Sequence, residues 1–346
     1  MNNSLKVVVG LVAIVVVFLI GAVFKAAQTV LVPLIIAGLL YFILVPVVNF
    51  LERFRVPRII AIVIVLLMVL GVFYLVGLFI FASVQSVVRA FPRYQARFDL
   101  ILQDLNSMMN TRLHVSQSLL AGINWASTLR GYLISWSGSF LKFVTSAGII
   151  LIFLIFLLLE RPYFRSKMNN AFYGATREKI QVAFDHINRQ IGRYLGVKLF
   201  ISTVTGLLVW AGLKLLGVDF PLFWGVAAVL LNFIPNIGSL FVIVITTIMA
   251  FLQFYPAVER PLLTLLVMSG IQVIMGNFID PRLQGDRLNL SPFVILVSLI
   301  FWGWLWGIIG MFLSVPITVV IKIICENVPS LRPVSIFMGS GKWKDV

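Results

Sequence analysis

Phe220-Pro-Leu-Phe-Trp-Gly-Val-Ala-Ala-Val-Leu-Leu-Asn232-Phe-Ile-Pro235-Asn236-Ile-Gly238-Ser239, continued to Val258, runs for 39 residues without a charged side chain. A straight helix of that length would rise about 58 Å, against a bilayer hydrocarbon core of about 30 Å. The stretch is too long for one upright span and marginal for two, and it carries its own interruption. Pro235 lacks the N–H a helix needs and clashes with the carbonyl four residues earlier; Gly238 frees the backbone further. Asn232, Asn236 and Ser239 add side-chain donors and acceptors at the same point. Two structures fit: a kinked helix with locally satisfied amides, or a broken helix or re-entrant hairpin. Exposed backbone at membrane depth is tolerated only against protein or a wet cavity, and the second structure is the expectation taken forward.

A second uncharged stretch, Leu288–Ile321, holds 34 residues and is also broken in its middle, at Gly303-Trp-Leu-Trp-Gly307-Ile-Ile-Gly310 and then at Ser314-Val-Pro316. Gly303, Gly307, Gly310 and Pro316 are the expected hinges, while Trp302, Trp304 and Trp306 suit either that bend or an interfacial belt. Pro221 opens the first stretch and Pro292 the second, with Gly238 and Gly310 at nearly the same offset. Two interrupted segments in matching positions are the best sequence pointer to a transporter's binding site.

The rest of the chain agrees. It has 346 residues, 61% of them hydrophobic and only 11% charged, where a soluble domain carries about 25% charged residues. Further apolar runs lie at Val7–Phe24, Val30–Leu51, Ile59–Ala82, Val144–Leu159, Leu199–Leu213 and Pro261–Ile279. The fold class expected is an all-α polytopic membrane protein of about eight transmembrane segments (seven to nine), broken helices included, with a small extramembrane helical insert. The first run is longer than a signal peptide's apolar core and a second follows almost at once, so it reads as a retained span.

Basic residues in short loops orient the chain. Arg53, Arg55 and Arg58 place the loop after the second span in the cytoplasm, and the N-terminus with it; the basic segment Glu160–Arg193 returns there, and the C-terminal tail ends there. The net charge of +15 sits between spans, where it suits topology and membrane lipids rather than nucleic acid. The organisation that follows is 1–82 for three spans, 83–139 for a periplasmic amphipathic insert, and 140–160 for a fourth span. After these come 161–194 for a cytoplasmic amphipathic helix, 195–325 for a core with its interruptions in 220–258 and 288–321, and 326–346 for a tail. In the insert, Val87, Phe91, Tyr94, Phe98, Ile101 and Leu105 recur at helical spacing with Pro92 near the expected start; that helix either packs on its neighbours or lies along the bilayer.

Between the interrupted stretches the polar residues Gln272, Asn277, Asp280, Arg282, Gln284 and Asp286 cluster. An amide such as Gln272 inside a span is costly unless partnered, and a carboxylate such as Asp280 at its end is a candidate for ion coupling. Enzymatic chemistry has no set of groups to rest on. His114 and His186 lie outside the apolar runs, Cys325 is the one cysteine, and Gly339-Ser-Gly341-Lys342 lacks both the first glycine and the hydroxyl of a phosphate loop. No enzyme, cofactor or metal is expected.

Phe233-Ile-Pro-Asn-Ile-Gly238, Asn277-Phe-Ile-Asp-Pro-Arg-Leu-Gln-Gly285, Leu288-Asn-Leu-Ser-Pro292, Gly303–Gly310 and Ser314-Val-Pro316 together resemble the autoinducer-2 exporter family, most closely over 195–322. The resemblance implies a secondary transporter in the bacterial inner membrane that exports the quorum-sensing molecule autoinducer-2, a neutral, hydroxylated small solute. It also implies a homo-oligomeric ring, a pentamer. Carried onto this chain, the solute-binding residues expected are Asn232, Pro235, Asn236, Gly238, Ser239, Gln272 and Asn277. One departure stands out: many family members read Pro-Tyr-x-Gly-Pro at the first motif, where this chain has Asn236 for the aromatic residue and Ser239 for the second proline. Two other readings stay open, a sodium or lithium/proton antiporter and a non-transporting membrane scaffold.

Overall fold

The computed structural model describes residues 12, 19, 21–108, 125–171, 173–284 and 290–341. Among them every element is a helix, and a lone bridge pairs Leu290 with Gly339. In chain order these are α1 (Gln28–Arg53), α2 (Arg58–Met108), α3 (Trp125–Ala171), α4 (Gly174–Leu216), α5 (Pro221–Leu231) and α6 (Ile237–Phe254). Then follow α7 (Glu259–Val273), a π-helical turn (Ile274–Ile279), α8 (Asp280–Gln284), α9 (Pro292–Asn327) and α10 (Arg332–Met338). Among the described residues seven helices have the length and apolarity to cross a membrane, and α5 is a shorter apolar one. The expected first span, 7–24, lies almost wholly outside the described residues.

The chain divides into two units, one of 1–67, 146–196 and 286–346, the other of 68–145 and 197–285. The boundaries at 67/68, 145/146 and 196/197, like several expected from the sequence, fall inside continuous helices. α2 runs unbroken past residue 83, so Pro92 sits within a helix rather than near the start of one. α4 likewise carries the amphipathic segment 177–193 straight on through Gly192 and Gly196.

In lipid an apolar side chain gains little by leaving hydrocarbon for protein, so helices associate through close approach of small residues and through polar contacts. The second unit is built that way. A Cβ on Gly206 of α4 would lie 2.6 Å from the carbonyl oxygen of Gly225 in α5, and one on Gly225 would lie 2.8 Å from that of Gly206. Val209, Leu213, Trp224, Ala228, Val242, Ala250 and Met268 fill the core around this contact. The far half of α2 packs on this unit by its polar face. Tyr94 donates to Asp219 at 2.8 Å, Arg97 donates to the Tyr255 carbonyl at 2.9 Å, and the Tyr255 hydroxyl donates to Asp104 at 2.8 Å. The bond to Asp104 raises the Tyr255 pKa above its ordinary value. Of the two settings open to the amphipathic helix, packing on its neighbours is the one observed.

In the first unit Ile191, Tyr194 and Leu195 of α4 meet Val319 and Ile323 of α9, with Leu39, Phe42 and Ile43 of α1 against them. Trp306 is 6% exposed and its Nε1 donates to the Phe24 carbonyl at 3.2 Å. It is a core residue and no interfacial anchor; Trp304, 55% exposed with Lys25 over its ring, is the open one of the three.

Candidate functional site

Each uncharged stretch folds back on itself. The first is α5, a turn over 232–236, and α6. Pro235 has no N–H to offer the Leu231 carbonyl, which accepts instead from Ile234 at 2.9 Å. The chain then makes a rare γ-turn: Ile237 N–H donates to the Pro235 carbonyl at 2.6 Å across Asn236, whose φ is 59° and ψ −47°. Gly238 completes the reversal. A Cβ there would lie 1.8 Å from the Leu231 carbonyl oxygen, so only a glycine lets the second arm start this close to the first.

The second stretch is α9, which is two helices rather than one. Gly307, at φ 64° and ψ −142°, separates a helix over 292–306 from another over 308–327. A Cβ on Gly310 would lie 1.8 Å from the Trp302 carbonyl oxygen, and one on Gly303 would meet the Met311 side chain at 3.0 Å. Further from the turn, the Ser298 hydroxyl donates to the Ser314 carbonyl at 3.1 Å and meets the hydroxyl of Thr318. Residues 302 with 310 and 298 with 314 are facing pairs of an antiparallel hairpin, stapled by buried hydroxyls. The expected hinges Gly303, Gly307 and Gly310 all sit at its turn, while Pro316 is buried in the second arm.

The candidate side chains of the second unit divide in two. One face of α4 carries Lys198, Ser202 and Thr205, all nine-tenths or more buried, at the spacing that stacks side chains on a helix. Ser202 Oγ accepts from Asn232 Nδ2 at 3.0 Å, fixing the start of the turn, and Lys198 Nζ lies 3.0 Å from Asp280 Oδ2. α4 is thus a polar spine linking the hairpin turn to the exit of the π-helical turn. A π-turn widens the helix locally and is frequent at functional sites. The other group is open: Asn236 and Asn277 are exposed, Gln272 is half-buried on α7, and none of the three forms a side-chain hydrogen bond among the described residues. Ser239 Oγ donates to the Asn236 carbonyl at 3.4 Å. Trp224 Nε1 and Thr247 Oγ1, one on each arm of the hairpin, are buried without a hydrogen-bond partner among the described residues.

A profile of the AI-2E family transporters matches residues 12–330. The chain belongs to the AI-2E transporter family. Among its relatives is the AI-2 transport protein TqsA of Escherichia coli K12, 33% identical over 97% of this chain and 96% of its own length. A Borreliella burgdorferi protein, provisionally named as a transport protein, is 37% identical over 95% of this chain and 90% of its own. A similarly named Bacillus subtilis protein, YueF, is 28% identical over 88% and 85%.

For an AI-2E chain, then, the sequence located the turns but missed half the spine. Lys198 precedes the apolar run that begins at Leu199 and reads as its charged border; Ser202 is hidden among Leu, Phe and Ile. The signal available was pairwise. A lone lysine and a lone aspartate at the edges of two spans neutralise each other only if those helices touch.

Proposed function

We propose that this AI-2E protein is a secondary transporter that exports a small neutral hydroxylated signalling molecule, autoinducer-2, across the bacterial inner membrane. Its termini lie in the cytoplasm and its copies assemble as a homo-oligomeric ring, as the resemblance implies. The observation that carries the reading is that both uncharged stretches are hairpins whose first arms are too short to cross. α5 has 11 residues and the first arm of α9 has 15, which rise about 16 and 22 Å against about 30 Å of hydrocarbon. An arm that enters at the interface therefore turns inside the membrane, where irregular backbone is stable only if it lines protein or a wet cavity.

A polyol is recognised by groups that both donate and accept, and a fixed charge adds little. The open amides of Asn236 and Asn277 and the Thr247 hydroxyl have that character, and Trp224 Nε1 adds a donor. Asn236 is the residue to test, and glycine is the replacement to use. Alanine would be strained at φ 59°, whereas glycine removes the amide and relaxes the turn. In proteoliposomes of the purified chain, Asn236→Gly and Asn277→Ala are each expected to slow autoinducer-2 transport about tenfold, the worth of one or two neutral hydrogen bonds. Rates equal to wild type in both variants count against the site.

The part-buried Lys198–Asp280 pair favours a second reading, a sodium or lithium/proton antiporter, because intramembrane ionisable pairs mark ion pathways. Sodium-driven proton movement in the same proteoliposomes, without autoinducer-2 transport, selects it.

A further inference from the structure

In the first unit, α1, the end of the apolar part of α3, and α4 enclose a cleft of about 770 Å³ that the transport reading does not use. Four guanidinium groups line it, those of Arg58, Arg161, Arg189 and Arg193, against the carboxylates of Glu52 and Asp185. Two of the four are held in place. Arg161 Nη1 donates to Asn49 Oδ1 at 2.7 Å, and Arg58 Nη2 donates to the Leu158 carbonyl at 3.2 Å. The Nε of Arg58 is buried with no hydrogen-bond partner among the described residues, and a Glu52 carboxylate oxygen stands 3.9 Å away.

The other two arginines come from α4. Asp185, Asn188, Arg189, Gly192 and Arg193 follow the spacing of one helical face, and all five line the cleft. Arg189 and Arg193 are exposed and form no hydrogen bond or ion pair among the described residues. Gly192 brings α4 close: a Cβ on it would lie 3.2 Å from the Phe42 carbonyl oxygen. Phe42, Val45 and Pro46 of α1 give the cleft an apolar wall beneath the cationic rim.

Guanidinium groups bind phosphate oxygens by paired, charge-assisted hydrogen bonds, and a basic pocket between membrane helices is the setting in which anionic headgroups are recognised. Two arginines pinned by neutral acceptors, two without partners, and an excess of positive charge make such a site here. The volume exceeds what an inorganic phosphate fills, so the wall has something to hold. We propose that this cleft binds a phosphate-bearing anion with an apolar or sugar-like body, either the headgroup of an anionic phospholipid or a soluble phosphomonoester.

The test uses the full chain purified in a neutral maltoside detergent, with binding read from the rise in melting temperature on titration. The probes are phosphatidylglycerol, phosphatidylcholine, glycerol 3-phosphate and inorganic phosphate. Wild type is expected to bind phosphatidylglycerol or glycerol 3-phosphate and to ignore phosphatidylcholine. In Arg189→Gln/Arg193→Gln the affinity is expected to fall about tenfold for each arginine lost, and Arg189→Lys/Arg193→Lys is expected to recover part of it. Phosphatidylglycerol binding that glycerol 3-phosphate does not compete supports a lipid source; competition by glycerol 3-phosphate supports a soluble one. Equal response of wild type to phosphatidylglycerol and phosphatidylcholine, with none to the soluble phosphates, overturns the proposal without use of any variant. So does unchanged affinity in the glutamine variant.

Discussion

Alanine at Gly310 is expected to prevent the protein from accumulating in the membrane, and alanine at Gly238 to do the same. At both positions the added carbon would lie 1.8 Å from a backbone carbonyl oxygen of the opposing arm, that of Trp302 or of Leu231. A flexible side chain could swing away from such a contact; a backbone carbonyl moves only with the helix or turn that holds it, as the bond from Ile234 N–H holds that of Leu231. Overpacking of a well-packed site costs typically 1–3 kcal/mol, and an obstruction formed by backbone belongs at about 3 kcal/mol or above. Gly307→Ala adds a different cost, since φ 64° with ψ −142° is a conformation that side chains rarely adopt. Gly38→Ala and Gly270→Ala are the controls. Nothing lies within 4 Å of a Cβ at either, both are helical, and each is expected to stabilise by up to about 1 kcal/mol. Membrane abundance and melting temperature in detergent check the set. Wild-type values for Gly238→Ala and Gly310→Ala would mean that the hairpins are not closed as described.

The hairpins were legible because their causes are local. Pro235 withdraws a backbone N–H and Gly307 takes up angles open to glycine, while Gly238, Gly303 and Gly310 mark where the arms come close, so each turn is flagged by residues at the turn itself. The apolar runs are legible for the same reason, since about 20 apolar residues suffice to mark a span. What the sequence hid is pairwise. Ser202 earns its place by a bond to a residue 30 positions on, and Lys198 by a bond 82 positions on; neither partner is marked by periodicity. Asn236 has a backbone role that its residue type does not announce. Its angles, which nothing in the sequence reports, make it the strained centre of a γ-turn, while its amide stays open. The boundary at residue 83 was hidden too, because α2 passes from apolar to polar composition without breaking, and a change of solvent is not a change of conformation.

Lys198 and Asp280 carry the other large effect. Their side chains are 11% and 20% exposed, with Nζ and Oδ2 3.0 Å apart. Removing one partner of a largely buried pair unbalances its charge, which costs up to about 3–5 kcal/mol, whereas removing both is often close to neutral. Lys198→Met and Asp280→Asn are each expected to lower the melting temperature sharply, and Lys198→Met/Asp280→Asn to return most of the loss. That recovery separates the two transport readings. A pair that only joins α4 to the π-helical turn becomes dispensable once both charges are gone, so the double variant regains autoinducer-2 transport along with its fold. A carboxylate that carries a coupling ion is needed for its own chemistry, so the double variant regains the fold and stays inactive in sodium-driven proton movement. Single variants as stable as wild type would place the pair in solvent and remove it from both readings.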